Sequence, residues 1–250
     1  MAAYSSKRVQ GILFDFDNTL VPTVEADLYA FHKAKEKLLE FFDAKDAENI
    51  ALKYQTLVTK TNPWAPDSFK FDQHAWRVKL WENVLNSESG DSEKPSAVEM
   101  YEVWRSARLE KMVIENEISS LIQELARDYK IAIVTNSDSV IQQEKIKASG
   151  ADRLFKTIVI SGDHPHPKPH PEIFNTACSL ISVDPQNCVM IGDSLAHDIQ
   201  GSKNAGLMAS VWIKLKGCNR SEEDPGPDFT VDSVLDLPRI LDELNSLTVN

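Results

Sequence analysis

The sequence has no apolar run long enough to cross a bilayer, and its first residues, MAAYSSKRVQG, lack the apolar segment of a signal peptide. We therefore expect neither a membrane anchor nor secretion, and we expect a cytoplasmic location. Cysteine is scarce as well. The three cysteines, Cys178, Cys188 and Cys218, show no CxxC spacing, which argues against a disulfide framework and against a structural zinc site.

Basic residues are also in deficit, with 27 Lys and Arg against 38 Asp and Glu and a formal net charge of −11 at pH 7. This balance argues against a nucleic-acid partner, because phosphate backbones are bound by clustered Lys and Arg. A small anionic substrate is compatible with it, provided that a local cation offsets the field of the acidic surface. The composition as a whole, with 42% hydrophobic and 26% charged residues, is typical of a globular protein.

Short runs rich in Val and Ile alternate with amphipathic stretches along much of the chain. The runs are typical of strands buried on both faces, and they cover residues 9–16, 131–135, 157–160, 188–191 and 209–213. The amphipathic stretches predict helices at 117–129, 138–150 (with Gly150 as C-cap), 171–181 and 194–206 (with Gly206 as C-cap). Repeated strand–helix alternation predicts an α/β fold with a doubly wound parallel sheet.

Residues 22–115 interrupt the alternation, because they contain helix-like stretches and no convincing strand. We predict an inserted helical domain there, with residues 1–21 and 116–250 forming the α/β core. The predicted helices of the insert lie at roughly 24–43, 45–60, 72–86 and 95–112.

Polar and charged side chains follow the predicted strands. Asp15 and Asp17 end the first strand on one side of it, and two such carboxylates repel unless a cation lies between them. The second predicted strand ends at the hydroxyl of Thr135 and the amide of Asn136, and the third is followed by the ammonium of Lys168. The fourth is followed by the carboxylates of Asp193 and Asp198. Ligands of open parallel sheets bind at the carboxyl ends of the strands, so this series predicts one site. Aspartates that only form turns or cap helices are the alternative.

The segments DFDNT, VTNSD, KPHPEIF and IGDSLAHDIQG, in this order, resemble the four motifs of the haloacid dehalogenase superfamily of phosphotransferases. The resemblance implies a Rossmann-like core, phosphatase activity, and a helical cap inserted between the first two motifs. Further segments, YEVWRSARLEKM, CVMIGDS and DIQGSKNAGLMASVWI, resemble members that act on a sugar-derived phosphate.

The resemblance also implies catalytic roles for three residues. Asp15 is the expected nucleophile, which attacks phosphorus and forms an aspartyl-phosphate. Asp17 is expected to protonate the leaving alkoxide and then to deprotonate the attacking water. Lys168 is expected to counter the charge that builds up in the transition state.

By the same resemblance, binding roles fall to the remaining motif residues. Mg²⁺ is expected to be held by Asp15, the backbone carbonyl of Asp17, and Asp193. Thr135 and the backbone near Asn136 are expected to hydrogen-bond the phosphoryl oxygens, and Asp198 to orient Lys168 or a water bound to the metal. Asn18, where many relatives carry Gly, and Thr19 are expected to have structural roles in the turn.

Other functions remain open at this stage. A phosphomutase or another transferase would use the same aspartyl-phosphate, and a non-catalytic binding protein would keep the fold alone. A dehalogenase is less favoured, because carbon–halogen displacement does not need the acid/base Asp17. A phosphonate hydrolase would need a lysine poised for a Schiff base in the insert, and the sequence marks none.

The segment GDHPHPKPHP allows two interpretations. Its histidines, His164, His166 and His170, resemble a metal cluster, whereas its prolines suggest a stiff loop that holds Lys168. We favour the stiff loop, because we expect alternating prolines to disperse the imidazoles rather than to bring them together. Arg105 and Arg108 are similarly ambiguous: we interpret them as solvated helix charges, with contact to a substrate carboxylate as the alternative.

Overall fold

The computed structural model describes residues 8–61, 72–87 and 93–247. Its strands are β1 Gly11–Phe14, β2 Lys130–Thr135, β3 Ile158–Ile160, β4 Cys188–Gly192, β5 Ala209–Ile213 and β6 Phe229–Val231. They form a six-stranded sheet in the order β3-β2-β1-β4-β5-β6, and every neighbouring pair is parallel. The predicted α/β class with a parallel sheet is therefore confirmed.

The strands follow from their sequences. In β1, β4 and β5 every residue is buried, as expected for parallel strands covered on both faces. The sixth strand is missing from our prediction. It lies at the edge of the sheet, has three residues, FTV, and buries only Val231, so it offers no apolar run for sequence analysis to detect.

The chain divides into two compact units. The described residues of the first unit fall within Met1–Val21, Ile114–Gln142 and Ser149–Asn250, and those of the second within Pro22–Val113 and Gln143–Ala148. The first unit contains the sheet. We call the second the helical unit, and its described part contains no β-strand.

The helical unit is built from α1 Thr23–Leu38, α2 Ala44–Thr56, α3 Gln73–Asn86 and α4 Ala97–Lys111. Three helix starts are capped as their sequences suggest, because the side chains of Asp43, Asp72 and Ser96 accept from the backbones of α2, α3 and α4. Aromatic side chains fill the centre of this unit, where the rings of Tyr54 and Trp81 stack with centroids 3.9 Å apart.

The remaining helices belong wholly or partly to the first unit. They are α5 Asn116–Asp128, α6 Ser139–Ser149, α7 Ala151–Leu154, α8 Pro171–Leu180, α9 Gln200–Ala205 and α10 Leu237–Leu247. Gly150 and Gly206 follow α6 and α9 with φ of 76° and 67°, the left-handed conformation that the sequence predicts for C-caps. Across the described ranges, no helix combines the length and apolarity needed to span a membrane.

Gly201 allows α9 to pack closely against α8 and the loop before it. A Cβ atom at position 201 would lie 2.3 Å from Cζ of Phe174 and 3.2 Å from Cα of Pro169. Such distances are too short for a methyl group. The close approach therefore depends on glycine, and it supports the loop that carries Lys168.

We predict that Gly201→Ala lowers the thermal unfolding temperature. Overpacking costs about 1–3 kcal/mol, and the 2.3 Å approach to Phe174 places this site towards the upper end. The cost there exceeds the roughly 1 kcal/mol that alanine gains in helix propensity. Circular dichroism melting curves measure the change. Gly226→Ala is the matched control, because the nearest atom to its new Cβ would be Nη1 of Arg220 at 3.9 Å. Equal melting of both variants would contradict the packing argument.

Candidate active site

The site forms where the central strands end. The sheet order places β1 between β2 and β4, and Phe14 pairs in register with Ile133 and Ile191. The backbone N–H of Asp15 continues this alignment by donating to the carbonyl of Ile191 at 2.9 Å. Side chains that follow these three strands are therefore brought to one edge of the sheet.

Lys168 is the centre of the contacts at this edge. Its Nζ donates to Oδ1 of Asp15 and to Oδ1 of Asp198, each at 2.6 Å, and to the carbonyl of Val134 at 2.8 Å. All three ammonium hydrogens have acceptors. Lys168 is only 3% exposed, so these contacts replace its lost hydration.

Asn136 holds the backbone of the Lys168 loop. Its Nδ2 donates to the Lys168 carbonyl and its Oδ1 accepts from the Lys168 N–H, both at 2.9 Å. The side chain is thus used for positioning the lysine. Phosphate binding by the backbone near Asn136 stays a prediction.

The turn after β1 contributes more than the structural roles that we expected for it. The hydroxyl of Thr19 donates to Oδ2 of Asp15 at 3.1 Å. Asn18 has a positive φ of 60°, and its Nδ2 donates to Oδ2 of Asp193 at 3.4 Å. Both residues contact predicted site carboxylates because the chain folds back at Val21, which bridges to Asp17.

Gln142 is a site residue that our sequence analysis missed. Its Nε2 donates to Oδ2 of Asp17 at 3.0 Å and to Oγ1 of Thr135 at 2.8 Å. The side chain is fully buried, and its Oε1 has no hydrogen-bond partner among the described residues. The one signal in the sequence is its position, in the first turn of the helix that follows Thr135.

The cluster carries more negative than positive charge. Burial raises the pKa of Asp15 to about 8 against the attraction of Lys168, and nearby carboxylates reinforce the rise. Burial also raises the pKa of Asp193 to about 6, with Asp198 adding to it. For Lys168, burial alone would lower the pKa, but Asp15 and Asp198 raise it above its usual range. One ammonium therefore does not neutralise these carboxylates.

The oxygen donors at this edge fit a hard divalent cation. Carboxylate oxygens of Asp15, Asp193 and Asp198 lie within 4.8 Å of one another. Asp198 is already engaged, since its Oδ1 accepts from Lys168 and its Oδ2 from the Ser194 N–H at 3.0 Å. Asp15 is engaged as well, because its Oδ1 accepts from Lys168 and its Oδ2 from Thr19. The shared feature of the cluster is its carboxylate oxygens, which suit Mg²⁺.

The histidine loop differs from our expectation. The rings of His166 and His170 lie with centroids 4.1 Å apart, and each approaches the Glu172 carboxylate at 3.9 Å. We expected the prolines to disperse the imidazoles. Instead a turn, closed by the hydrogen bond from the His170 N–H to the Pro167 carbonyl at 3.0 Å, brings two of them together. His164 does not belong to this cluster.

The two arginines of α4 pair with carboxylates of the chain and are not the freely solvated charges that we expected. Arg108 pairs with Asp27, and Arg105 pairs with Glu102 at 3.0 Å and with Glu144. All these partners belong to the helical unit. The side chains therefore neutralise carboxylates of the chain itself.

Known proteins resemble this chain over most of its length. A family model described as haloacid dehalogenase-like hydrolase matches residues 12–212. The N-acylneuraminate-9-phosphatase of Rattus norvegicus is 34% identical over 242 residues, which cover 95% of this chain and 96% of the relative. The glyceraldehyde 3-phosphate phosphatase of Pyrococcus abyssi is 31% identical over 82% of each chain.

Solved structures show the same fold. The magnesium-bound HAD-hydrolase YfnB from Bacillus subtilis superposes with a TM-score of 0.68 at 23% identity, covering 94% of this chain and 100% of its own. At 23% identity this similarity shows the fold alone. The resemblance indicated by the four motifs is confirmed, and the chain belongs to the haloacid dehalogenase-like hydrolase family.

Proposed function

We propose that this chain is a Mg²⁺-dependent phosphomonoester hydrolase that acts through an aspartyl-phosphate on a small sugar-type phosphate. The observation that carries the proposal is the buried contact between Asp15 and Lys168 at the carboxyl edge of the sheet. The candidate substrate is N-acylneuraminate 9-phosphate, and it is supported by the 34% identity to the rat phosphatase named for that compound.

In the proposed first step, a carboxylate oxygen of Asp15 attacks phosphorus while the ester P–O bond breaks. Lys168 and Thr19 hold the two oxygens of this carboxylate, which limits its orientations. The leaving alkoxide takes a proton from Asp17. In the second step water attacks the phosphorus of the aspartyl-phosphate, Asp17 accepts the proton, and Asp15 and inorganic phosphate are released.

Phosphate recognition is assigned to groups around Asp15. Asp15, Asp193 and the backbone carbonyl of Asp17 would hold Mg²⁺, which supplies positive charge against the phosphoryl oxygens. Lys168 adds a second positive charge, and Asp198 keeps its ammonium in place. Together they supply the local cation that an acidic protein needs for an anionic substrate.

Gln142 is proposed to position the acid/base and the phosphate-binding hydroxyl together. One amide nitrogen donates to both Asp17 and Thr135. Because Thr135 Oγ1 accepts from Gln142, its own O–H hydrogen is left to donate to a phosphoryl oxygen. The same amide limits the directions in which the Asp17 carboxylate can point.

A phosphomutase and a non-catalytic binding protein are the two alternatives, and each is distinguished from a hydrolase by what happens to the phosphate. A phosphomutase would return the phosphoryl group to the sugar, whereas a hydrolase releases it to water. A non-catalytic binding protein would do neither. The contact of Asp15 with Lys168 favours catalysis, because it sets a candidate nucleophile beside a cation that can stabilise charge in a phosphoryl-transfer transition state.

We predict that the wild-type protein releases inorganic phosphate from sugar phosphates only with Mg²⁺, and that Asp15→Asn abolishes the release. The amide keeps the shape of the carboxylate but is a poor nucleophile. The measurement is phosphate release from a panel that includes N-acylneuraminate 9-phosphate, after chelation and after Mg²⁺ is restored.

Each failure in this panel has a distinct meaning. Undiminished hydrolysis by Asp15→Asn would refute the covalent mechanism. Activity on other sugar phosphates without activity on N-acylneuraminate 9-phosphate would refute the substrate assignment alone. An inactive wild type would favour the non-catalytic function, and transfer of phosphate within the sugar would identify a mutase.

We predict that Gln142→Glu lowers kcat by roughly tenfold to a hundredfold, because the new carboxylate repels Asp17 and stops donating to it. The loss should be larger for an alkyl phosphate than for p-nitrophenyl phosphate, whose leaving group needs little protonation. Steady-state kinetics on both esters measure the difference.

Gln143→Glu is the matched control, since it adds the same charge one residue later at an exposed position. It should leave kcat on both esters near the wild-type value. A loss in Gln142→Glu that is equal for the two esters would count against positioning of the acid/base and would indicate a general structural effect.

A further inference from the structure

We propose that His166, His170 and Glu172 form a surface site for a transition-metal ion of borderline softness, such as Zn²⁺. The three side chains are exposed, at 52%, 46% and 52%. His166 and His170 lie on the loop whose buried side chain is Lys168, and Glu172 lies in the first turn of α8. The site is therefore distinct from the carboxylate cluster around Asp15. The inference does not depend on the proposed hydrolysis.

The distances in this cluster are close to those of a metal centre. Nε2 of His166 and Nδ1 of His170 each lie 3.9 Å from Oε2 of Glu172, and the ligand atoms of all three residues lie within 4.8 Å of one another. Tetrahedral Zn²⁺ with bonds of about 2.0–2.2 Å separates its ligand atoms by about 3.4 Å. The two distances to Glu172 exceed this value by about half an ångström, and rotations of the three exposed side chains can bring the ligand atoms closer.

The backbone of the loop is already ordered for this arrangement. Prolines occupy positions 165, 167, 169 and 171, which restricts the unfolded chain and the loop alike. The hydrogen bond from the His170 N–H to the Pro167 carbonyl closes the turn that sets the two rings side by side. Binding would therefore order only the side chains, which reduces its entropic cost.

His170 also caps a helix, and metal binding has to be compatible with that role. Its Nδ1 accepts from the Glu172 N–H at 3.3 Å, so it caps the start of α8. This bond is long, and Nδ1 can exchange it for a metal ion, or Nε2 can bind instead. A cation near a helix start is disfavoured by the helix dipole, but the Glu172 carboxylate offsets that effect.

The donor set selects the class of ion. Two imidazoles with one carboxylate are typical ligands of Zn²⁺ and related transition metals, which leave a further position for water. Mg²⁺ prefers oxygen ligands alone, as at Asp15 and Asp193. An occupied site would link the chain on both sides of Lys168, because His166 precedes the lysine and His170 follows it.

The test is titration of the chelator-treated full chain with Zn²⁺ in a large excess of Mg²⁺, followed by calorimetry. Mg²⁺ competes at the carboxylate cluster and leaves the imidazole cluster free. We expect one Zn²⁺ to bind, and we expect His166→Ala, His170→Asn and Glu172→Gln each to weaken binding at least about tenfold. Asparagine at position 170 retains a capping group, so helix α8 keeps its start.

His164→Ala is the matched control on the same loop and should bind Zn²⁺ like the wild type. Thermal unfolding gives a second measurement: Zn²⁺ should raise the melting temperature of the wild type and of His164→Ala, but not that of Glu172→Gln. Asp15→Asn should bind Zn²⁺ normally even though it is inactive, which separates this site from the proposed catalysis. Absence of binding, equal binding by all loop variants, or loss of binding only in Asp15→Asn would overturn the proposal.

Discussion

The buried ammonium of Lys168 is the interaction on which the site depends. It joins the carboxylate that follows β1, the carbonyl of Val134 in β2, and Asp198 beyond β4. An ammonium buried without partners would be strongly destabilising, so these elements must keep their relative positions. Asn136 and the close packing at Gly201 hold the loop that delivers the lysine. Sheet order, loop shape and site geometry are thus linked through one side chain.

Excess negative charge accounts for the chemistry proposed at the same edge. Asp15 and Asp193 share a single lysine with Asp198. Burial raises the pKa of both Asp15 and Asp193, and the neighbouring carboxylates add to the rise. A hard divalent cation would offset this negative charge and allow an anionic phosphoryl group to approach. The exposed side of the Lys168 loop carries the imidazoles of His166 and His170, which we propose as metal ligands. One short segment therefore supplies a buried ammonium on one side and the proposed metal ligands on the other.

Much of the fold was predictable because its signals are local. Buried strands are short runs of Val and Ile, and most predicted helices of the sheet unit lie close to those observed. The helix predicted at 194–206 divides into a π-helix at Leu195–Ile199 and the short α9. The exceptions have physical reasons: β6 is short and half exposed at the sheet edge. Gln142 carries no motif of its own, and its role depends on a neighbour 125 residues away. The hydroxyl of Thr19 reaches Asp15 only because the turn folds back.

By itself the sequence determined the family, the parallel α/β class and the residue types available at each strand end, since motifs and hydrophobic periodicity are written in consecutive residues. Only the tertiary structure decided which of them touch. Lys168 meets Asp15 across 153 residues, and the turn at Pro167 brings His166 to His170 against the expectation from prolines. Such contacts depend on strand order and chain reversal, which one-dimensional spacing does not encode.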